Sequence, residues 1–313
     1  MRVAVTGARG RLGRALVAAL EEAPFVGPSG PLAWGRESFD LDAPEGIDAL
    51  LDRDRPEVVV HAAAWTDVDG CARDPELAMA RNATATGALA EACAARGHDL
   101  IVVSTNEVFD GRRTDGRGYA PSDPTDPLNA YGASKLAGEQ AALAAYRPDG
   151  RTRGGGAGTA GALGIVRTAW LFGPPGNDFP AKILAAAARA VAAAQPLRLV
   201  ADEIGSPTYA IDLAEAIADL IGAAAIGGIH HIVNAGVVSR AGWARELLRQ
   251  ASVDVATQDV PASTWPRASV PPAWAVLAPT PLPGGEPMRP WQQAIADYLP
   301  VLLRQRATAG SAG

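Results

Sequence analysis

The chain is poor in the residues that build disulfide, metal or membrane-spanning structures. Its two cysteines, Cys71 and Cys93, offer no disulfide framework, and four scattered histidines show no zinc-ligand spacing. No apolar run approaches the ~18 residues of a membrane span, and a predicted strand begins at Met1 with no separate leader segment before it. We therefore expect a cytoplasmic protein that neither holds a metal nor inserts into a membrane.

The chain also lacks a basic stripe. Its 28 lysine and arginine residues are outnumbered by 34 aspartate and glutamate residues, which gives a net charge of −6. Because nucleic-acid binding depends on neutralising phosphates with basic side chains, this balance argues against a phosphate-backbone binder. Hydrophobic residues make up 48% of the 313 residues, which is enough core for one large globular domain or two modest ones.

The first functional pattern lies directly behind the first strand. The apolar run Val3–Val5 leads into Thr6-Gly7-Ala8-Arg9-Gly10-Arg11-Leu12-Gly13, and residues of helical composition follow. In a loop that binds a dinucleotide pyrophosphate, Gly7 would permit the tight turn, Gly10 the close approach of the phosphate, and Gly13 the packing of helix on strand. A purely structural turn is the alternative, but the position behind a strand favours a nucleotide site.

The end of the second predicted strand, Pro31–Trp34, bears on the choice of coenzyme. An acidic residue here would hold the ribose 2′-hydroxyl of NAD, whereas an arginine would accept the 2′-phosphate of NADP. The chain continues with Gly35 and Arg36, and we expect Arg9 of the glycine loop nearby. Two arginines and no immediate acid favour NADPH, with NADH as the alternative coenzyme and a simply solvated Arg36 as the structural alternative.

Apolar strands and helices alternate along the first half of the chain. The strands Glu57–His61 and Asp99–Val103 are separated by a helix that we predict over Pro75–Arg96. This spacing predicts an α/β fold with a doubly wound, right-handed parallel sheet of the Rossmann-like kind. Ligands of such sheets bind at the carboxyl ends of the strands, which is where Thr105 falls.

A Tyr-x-x-x-Lys pattern follows this region. Tyr131 and Lys135 lie four residues apart in a predicted helix, so their side chains share one face. An ammonium group beside a phenol stabilises the phenolate and thereby lowers the pKa of the phenol, which prepares Tyr131 to donate a proton. Taken alone, the two residues fit a surface helix equally well.

The glycine loop, the hydroxyl residue at the end of a later strand and Tyr-x-x-x-Lys together resemble the extended branch of the short-chain dehydrogenase/reductase superfamily. The pattern is most similar to the dTDP-4-dehydrorhamnose reductase family. Beyond the glycine loop, the segments that carry this resemblance are Val58–Asp69, Ser104-Thr105 with Val108–Gly111, Tyr131–Glu139, Arg167–Gly173 and Gly205–Ala214.

The resemblance implies an oxidoreductase of deoxysugar (dTDP-rhamnose) biosynthesis that reduces a nucleotide-linked 4-keto-6-deoxy sugar at C4. It implies that Tyr131 is the general acid, that Lys135 lowers its pKa and holds the nicotinamide ribose, and that Thr105 hydrogen-bonds the C4 oxygen. Asn106 and Trp170 match positions near the sugar, although Trp170 fits an ordinary core residue nearly as well. From the residues and the resemblance together, the candidate coenzyme positions are Gly7, Arg9, Gly10, Arg11, Leu12, Gly13, Arg36, Asp40, Leu41, Ala62, Ala63, Ala64, Tyr131 and Lys135.

The chain departs from the family pattern in two places. Asn106-Glu107 follows Thr105 where the family has Asp-Tyr, and the segment Val270–Leu277 replaces an Arg-Pro element, so that an arginine expected near the nucleotide is not evident. Glu107 is similar to the Glu of the Thr-Asp-Glu in sugar-nucleotide 4,6-dehydratases, but Asn106 removes one of their two acids. Two alternatives stay open: a sugar-nucleotide dehydratase or epimerase, and a non-catalytic cofactor-binding regulatory subunit of the same fold. The missing acid argues against the dehydratase, and the intact Tyr131/Lys135 pair favours the reductase over the non-catalytic subunit.

The second half of the chain is expected to supply the substrate side. Asn177 precedes an alanine-rich helix predicted over Ala181–Ala194, where it either meets a phosphate of the substrate or caps the helix, capping being the simpler interpretation. The Gly- and Arg-rich residues 147–161 predict a mobile surface loop.

These patterns predict a dinucleotide-binding domain (1–168 with 207–234), a smaller substrate-binding lobe (169–206 with 235–303) and a disordered tail (304–313). We expect a nucleotide sugar as the partner and neither nucleic acid nor membrane. A homodimer is one assembly that the sequence allows without fixing the oligomeric state.

Overall fold

The structure is a computed structural model that describes residues 1–146 and 161–310, and the side chains up to residue 306. The predicted loop over 147–161 lies outside these residues except for Gly161. The strands are β1 (Val3–Thr6), β2 (Leu32–Trp34), β3 (Val58–His61), β4 (Asp99–Thr105), β5 (Leu163–Thr168), β6 (Leu171–Phe172), β7 (Leu197–Val200), β8 (Ile204–Gly205), β9 (Thr208–Tyr209), β10 (Gly228–His231), β11 (Val238–Ser239), β12 (Thr257–Val260) and β13 (Trp274–Ala275). The α-helices are α1 (Arg11–Glu21), α2 (Ile47–Asp54), α3 (Val68–Arg73), α4 (Pro75–Met79), α5 (Ala85–Arg96), α6 (Ala130–Ala145), α7 (Phe179–Ala192), α8 (Ala210–Gly222), α9 (Arg240–Gln250) and α10 (Trp291–Gly310).

Six parallel strands form the main sheet in the order β10-β5-β4-β3-β1-β2. Successive side chains of a strand point to opposite faces, and both faces of this sheet are apolar. Val58 and Val60 face the layer that contains α1 and α8, whereas Val59 faces the layer that contains α2 and α5. The predicted doubly wound α/β fold is therefore confirmed.

A second hydrophobic core is formed by residues from the second half of the chain. Phe172, Trp243 and Tyr298 are fully buried, or nearly so, where α7, α9 and α10 meet the short strands β6, β7 and β9. The main sheet takes its strands from residues 3–168 and 228–231. The short strands β6, β7 and β9 contribute to the second core, and we call the region around this core the lobe. The closing helix reaches Gly310, so that residues 304–310, which we expected to be disordered, are helical.

The predicted helix over Pro75–Arg96 is interrupted. A π-helical turn over Ala80–Thr84 separates α4 from α5. Asn82 lies in this turn with 1% of its surface exposed, so that it faces neither solvent nor an open cleft. Local π-bulges of this kind often accompany functional sites, because they reorient backbone and side-chain groups within a helix.

Membrane and metal features are absent from the part of the chain that the structure describes. None of its helices is both long and apolar enough to cross a bilayer. Groups of three or more His, Cys, Asp or Glu side chains that could hold a metal ion are likewise not found among these residues.

Candidate active site

The glycine loop joins β1 to α1 at the carboxyl edge of the main sheet. Gly7 has φ +65°, and a Cβ at this position would lie 2.9 Å from the backbone of Ala63. A Cβ on Gly13 would lie 2.1 Å from the carbonyl oxygen of Gly7, so only glycine allows α1 to pack this closely on the loop. The N-cap of α1, Gly10, makes no side-chain cap, and its first turn holds no acid.

These features fit a dinucleotide pyrophosphate. A helix terminus without a side-chain cap leaves its first N–H groups open to an anion, and the positive end of the helix dipole favours that charge. Among the predicted coenzyme positions, Leu12 packs its side chain in the core, so its backbone is the part that can meet a ligand. Arg11 instead donates to the carbonyl of Gly173 (3.0 Å) and to Oδ1 of Asn177 (2.5 Å).

Ala62, Ala63 and Ala64 follow β3 and lie beside the glycine loop, where a Cβ on Gly7 would lie 2.9 Å from the backbone of Ala63. The N–H of Ala63 donates to the hydroxyl of Thr6 (3.1 Å), which also bonds Nδ1 of His61 (2.8 Å). The loop and the end of β3 are thereby held in one arrangement.

Behind this edge a buried polar network reaches the helix of Tyr131. Nε2 of His61 bonds the hydroxyl of Thr86 (3.1 Å), and this hydroxyl donates to the carbonyl of Asn82 (2.8 Å). The amide of Asn82 in turn donates to Ser134 (3.0 Å) and to the carbonyl of Trp65 (3.0 Å). Since the amide also accepts from the N–H of Trp65 (2.8 Å), it holds the chain after Ala64 in place.

Charged side chains surround the end of β2. Arg36 pairs with Asp40 (3.1 Å) and Asp42 (3.0 Å), and Leu41 packs against the core between them. Arg9 does lie nearby, but its guanidinium bonds Glu37 (2.7 Å). The expectation that no acid stands beside the two arginines is therefore wrong, because the chain after Gly35 turns back and brings Glu37 to the glycine loop.

Helix α6 carries Tyr131 and Lys135 and is positioned by two close approaches. Its N-cap, Asn129, accepts from the N–H of Gly132 (2.8 Å). A Cβ on Gly132 would lie 2.1 Å from the carbonyl oxygen of Glu107, and one on Gly138 would lie 2.4 Å from that of Asn82. Only glycine at both positions lets α6 lie directly against the end of β4 and against the π-helical turn.

A buried ion pair fixes the same helix relative to the sheet. Glu139 of α6 accepts two-pronged hydrogen bonds from Arg167 of β5, the closest at 2.7 Å, and a bond of 2.5 Å from Ser104 of β4. Both charged side chains are almost completely buried. Since Ser104 precedes Thr105, this contact sets the position of Thr105 opposite the first turn of α6.

Tyr131 lies next to Thr105 and Glu107. Burial and the Glu107 carboxylate raise the pKa of Tyr131 above its usual value, while the hydroxyl of Thr105 acts in the opposite direction. Lys135 is not among the groups that shift this pKa, so its predicted effect on Tyr131 stays a prediction. Burial also raises the pKa of Glu107, against the hydrogen bond that it accepts from Asn129 (2.7 Å). Tyr131 is consequently a phenol at neutral pH, which is the form that an acid needs.

Lys135 lies one turn further along α6 and has only 3% of its surface exposed. Burial lowers the pKa of Lys135 to about 8, although the carboxylate of Glu139 opposes this shift. Within the residues that the structure describes, its ammonium group makes no hydrogen bond or ion pair. Its donors are thus available for a ligand at the edge of the sheet.

On the lobe side, Trp170 takes an uncommon backbone conformation with φ +43°. Its ring stacks on Trp243 at 5.8 Å, and the guanidinium of Arg240 lies 3.6 Å from its centroid. Trp170 packs at the contact between the lobe core and a smaller cluster around Phe109. A tryptophan whose backbone lies in the left-handed region is a conformational outlier, and such outliers cluster at functional sites.

The two other predicted substrate positions, Asn106 and Asn177, lie in different parts of the structure. Asn106 follows Thr105 and is 5% exposed, at the start of a short 3-10 turn. Asn177 does not cap α7; Asp178 does so, because its carboxylate accepts from the N–H of Ala181 (3.0 Å). The capping interpretation of Asn177 is therefore wrong, and its contact with Arg11 places it beside the glycine loop instead.

A cavity of about 400 Å³ opens in the lobe near this site. It is lined by the cations Lys182, Arg198, Arg240 and Arg267, by the carboxylate of Glu203, and by the rings of Phe179 and Trp265. Glu203 pairs with both Arg240 and Arg267. The sequence pattern missed Arg267, since this arginine stands three residues ahead of the segment in which the family pattern placed one.

The chain between Arg267 and Trp274 crosses from the lobe to the main domain. The N–H of Ser269 donates to Asp69 (2.9 Å), and Asn129 donates to the carbonyl of Val270 (3.1 Å). Since Asn129 also bonds Glu107, this crossing segment borders the space in front of Tyr131.

Comparisons with known proteins agree with this arrangement. Residues 1–303 match the family described as RmlD substrate binding domain. A dTDP-4-dehydrorhamnose reductase of Mycobacterium tuberculosis is 37% identical over 305 residues, which cover 95% of this chain and 92% of the relative. The crystal structure of a dTDP-4-dehydrorhamnose reductase from Clostridium acetobutylicum superposes with a TM-score of 0.84 at 28% identity, over 97% of this chain and 100% of that one. A second, from Bacillus anthracis in complex with NADP, has a TM-score of 0.81 at 28% identity, over 95% and 98% of the two chains.

Proposed function

This chain belongs to the dTDP-4-dehydrorhamnose reductase family, and on that premise we propose that it reduces the C4 ketone of a dTDP-linked 4-keto-6-deoxy sugar with NADPH. The observation that carries the proposal is the close packing of the first turn of α6, which carries Tyr131, against the chain that directly follows Thr105, with the buried Lys135 one turn away. The curated relative is named for this reduction, and a solved relative binds NADP.

The residues at the edge of the sheet would hold the coenzyme, whose bound form supplies the hydride. The open N–H groups of α1 would bind its pyrophosphate, and the alanines after β3 would leave room for its ribose and ring. Lys135 would donate to the nicotinamide ribose, because its ammonium group makes no hydrogen bond or ion pair among the described residues.

Tyr131 would move the proton. As the C4 carbonyl gains a hydride, its oxygen becomes an alkoxide, and the phenol of Tyr131 protonates it to the product hydroxyl. Thr105 would donate a hydrogen bond to the same oxygen and thereby align it with the phenol. Lys135 would stabilise the resulting phenolate. This stabilisation would offset the effects of burial and of Glu107, which both raise the pKa of Tyr131.

The lobe cavity would take the nucleotide. Arginine guanidinium groups bind phosphate oxygens through paired hydrogen bonds, and Arg198 and Arg267 supply two of them at the cavity. Trp265 is 47% exposed and lies under Arg198, so that its ring is accessible to a base. Arg240 and Trp170 would then border the sugar between nucleotide and coenzyme.

The proposal is tested by NADPH oxidation with a panel of dTDP-linked 4-keto-6-deoxyhexoses, followed by NMR of the product. Stoichiometric NADPH consumption and a new C4 carbinol are expected. NADPH binding without consumption for any sugar of the panel would instead support a non-catalytic cofactor-binding subunit. Conversion of a 4-hydroxy sugar nucleotide without net coenzyme consumption would support a dehydratase or epimerase.

A further inference from the structure

Glu37 occupies the place at the end of β2 where dinucleotide-binding folds select their coenzyme. Both of its carboxylate oxygens lie 2.7 Å from the position that a Cβ on Gly35 would take, so that the carboxylate folds back against the strand end. The N–H of Ala8 donates to the carbonyl of Trp34 (3.3 Å), which ties the glycine loop to the same strand end. The carboxylate therefore lies at the edge of the loop that would hold the coenzyme.

The surroundings of Glu37 are balanced in charge. Arg9 pairs with Glu37, Arg36 pairs with Asp40 and Asp42, and Arg81 pairs with Asp42. Three guanidinium groups thus face three carboxylates. A carboxylate in this position accepts hydrogen bonds from the ribose hydroxyls of an adenosine, whereas a ribose 2′-phosphate needs a guanidinium that is free to bind it.

Arg9 is the guanidinium that a 2′-phosphate could recruit at least cost. The Arg9 and Glu37 side chains are 75% and 55% exposed, and exposed ion pairs of this kind contribute little to stability. Arg36, in contrast, is held by two carboxylates, and one of these is also bonded twice by Arg81, at 2.6 and 2.7 Å. Opening the Arg9–Glu37 pair would leave the Glu37 carboxylate next to a dianionic phosphate.

We propose that Glu37 is the residue that sets the coenzyme preference: it binds the adenosine ribose of NADH and competes with the 2′-phosphate of NADPH for Arg9. The inference rests on the proposed function only in so far as that function requires a nicotinamide coenzyme. As a consequence, Glu37 reduces the preference of the protein for NADPH over NADH.

The test measures binding of NADH and NADPH by titration of nicotinamide fluorescence, without any sugar. Glu37→Gln should weaken NADH binding by about tenfold, as expected for the loss of hydrogen bonds to a charged group. The same variant should leave NADPH binding unchanged or tighten it, because Arg9 is released and a negative charge is removed. Adenosine 2′,5′-bisphosphate and 5′-AMP, used as competitors, should shift in the same directions.

Three further variants make the test specific. Gly35→Ala should weaken NADH binding as Glu37→Gln does, because the new Cβ would displace the carboxylate. Arg9→Gln should weaken NADPH binding by about tenfold with little change for NADH. Glu45→Gln removes the same charge from an exposed acid that has no hydrogen bond or ion pair within the described chain, and it should change neither affinity.

Parallel changes in the affinities for both coenzymes in Glu37→Gln, or no change in either, would overturn the inference. The outcome is separable from that of the proposed function. A selective shift in binding together with no sugar reduction would contradict the reductase and leave the role of Glu37 standing. Sugar reduction together with an unshifted NADH/NADPH ratio would contradict the role of Glu37 alone.

Discussion

Replacing Lys135 by methionine should make the protein more stable while it removes activity. Burial lowers the pKa of Lys135 from 10.5 to about 8. Because one pKa unit corresponds to about 1.4 kcal/mol, keeping this side chain charged near neutral pH costs the native state about 3 kcal/mol. Methionine has a similar length, carries no charge and removes this cost.

The sign of the pH dependence follows from the same shift. Between pH values of about 8 and 10.5 the unfolded chain binds the lysine proton and the native state does not, so the stability of the wild type rises with pH in that window. The advantage of Lys135→Met should therefore be about 3 kcal/mol near pH 7 and about half of that near pH 9.5.

Urea denaturation at the two pH values, followed by tryptophan fluorescence, measures the difference. Lys182→Met is the matched control, since Lys182 is the only other lysine of the sequence and is exposed; its stability should change little at either pH. A less stable Lys135→Met variant near pH 7, or an advantage that does not shrink with pH, would refute the reasoning that this lysine is held charged in a buried site.

Three other substitutions test the surroundings of Tyr131 and the coenzyme edge. Gly132→Ala should destabilise the protein by about 1–3 kcal/mol in thermal or urea unfolding and impair turnover, because the methyl group would force α6 away from the Glu107 carbonyl; an unaffected enzyme would contradict the close approach. Glu107→Gln should shift the alkaline limb of the pH profile of kcat/KM to lower pH, since the Glu107 carboxylate raises the pKa of Tyr131; an unmoved or upward-shifted limb would argue against this coupling. Arg36→Ala should raise KM for NADPH less than Arg9→Gln does, because Arg36 is already held by Asp40 and Asp42; a larger effect of Arg36→Ala would place the 2′-phosphate at Arg36 instead.

Much of the fold could be predicted because most strands of the main sheet contain a short apolar run, whereas the edge strand β10 is Gly-Ile-His-His. Val58–Val60 is apolar on both faces, as a strand covered by helices on both sides must be. The glycine loop was also predictable, because Gly7 and Gly13 are required by backbone contacts that follow from any strand–turn–helix unit of this kind.

The parts that escaped prediction depend on contacts between distant segments. No local pattern shows that Asn82 lies in a π-helical turn, since its amide is held by Trp65 and by Ser134 from another helix. Glu37 was missed because its role arises from a turn that carries it back to Arg9. The pKa of Tyr131 could not be predicted from Lys135 alone, because the pKa is raised by burial of the phenol and by the Glu107 carboxylate at the end of β4, and both depend on the folded structure.

The most direct test of the account compares the wild type with Tyr131→Phe in NADPH oxidation with a dTDP-linked 4-keto-6-deoxyhexose. The account predicts a rate that falls by about a hundredfold or more, as is usual for the loss of a general acid. NADPH affinity should be nearly unchanged, because Tyr131 is assigned to the proton and Lys135 to the coenzyme. A phenylalanine variant that retains most of the wild-type rate would contradict the assignment of Tyr131 as the proton donor.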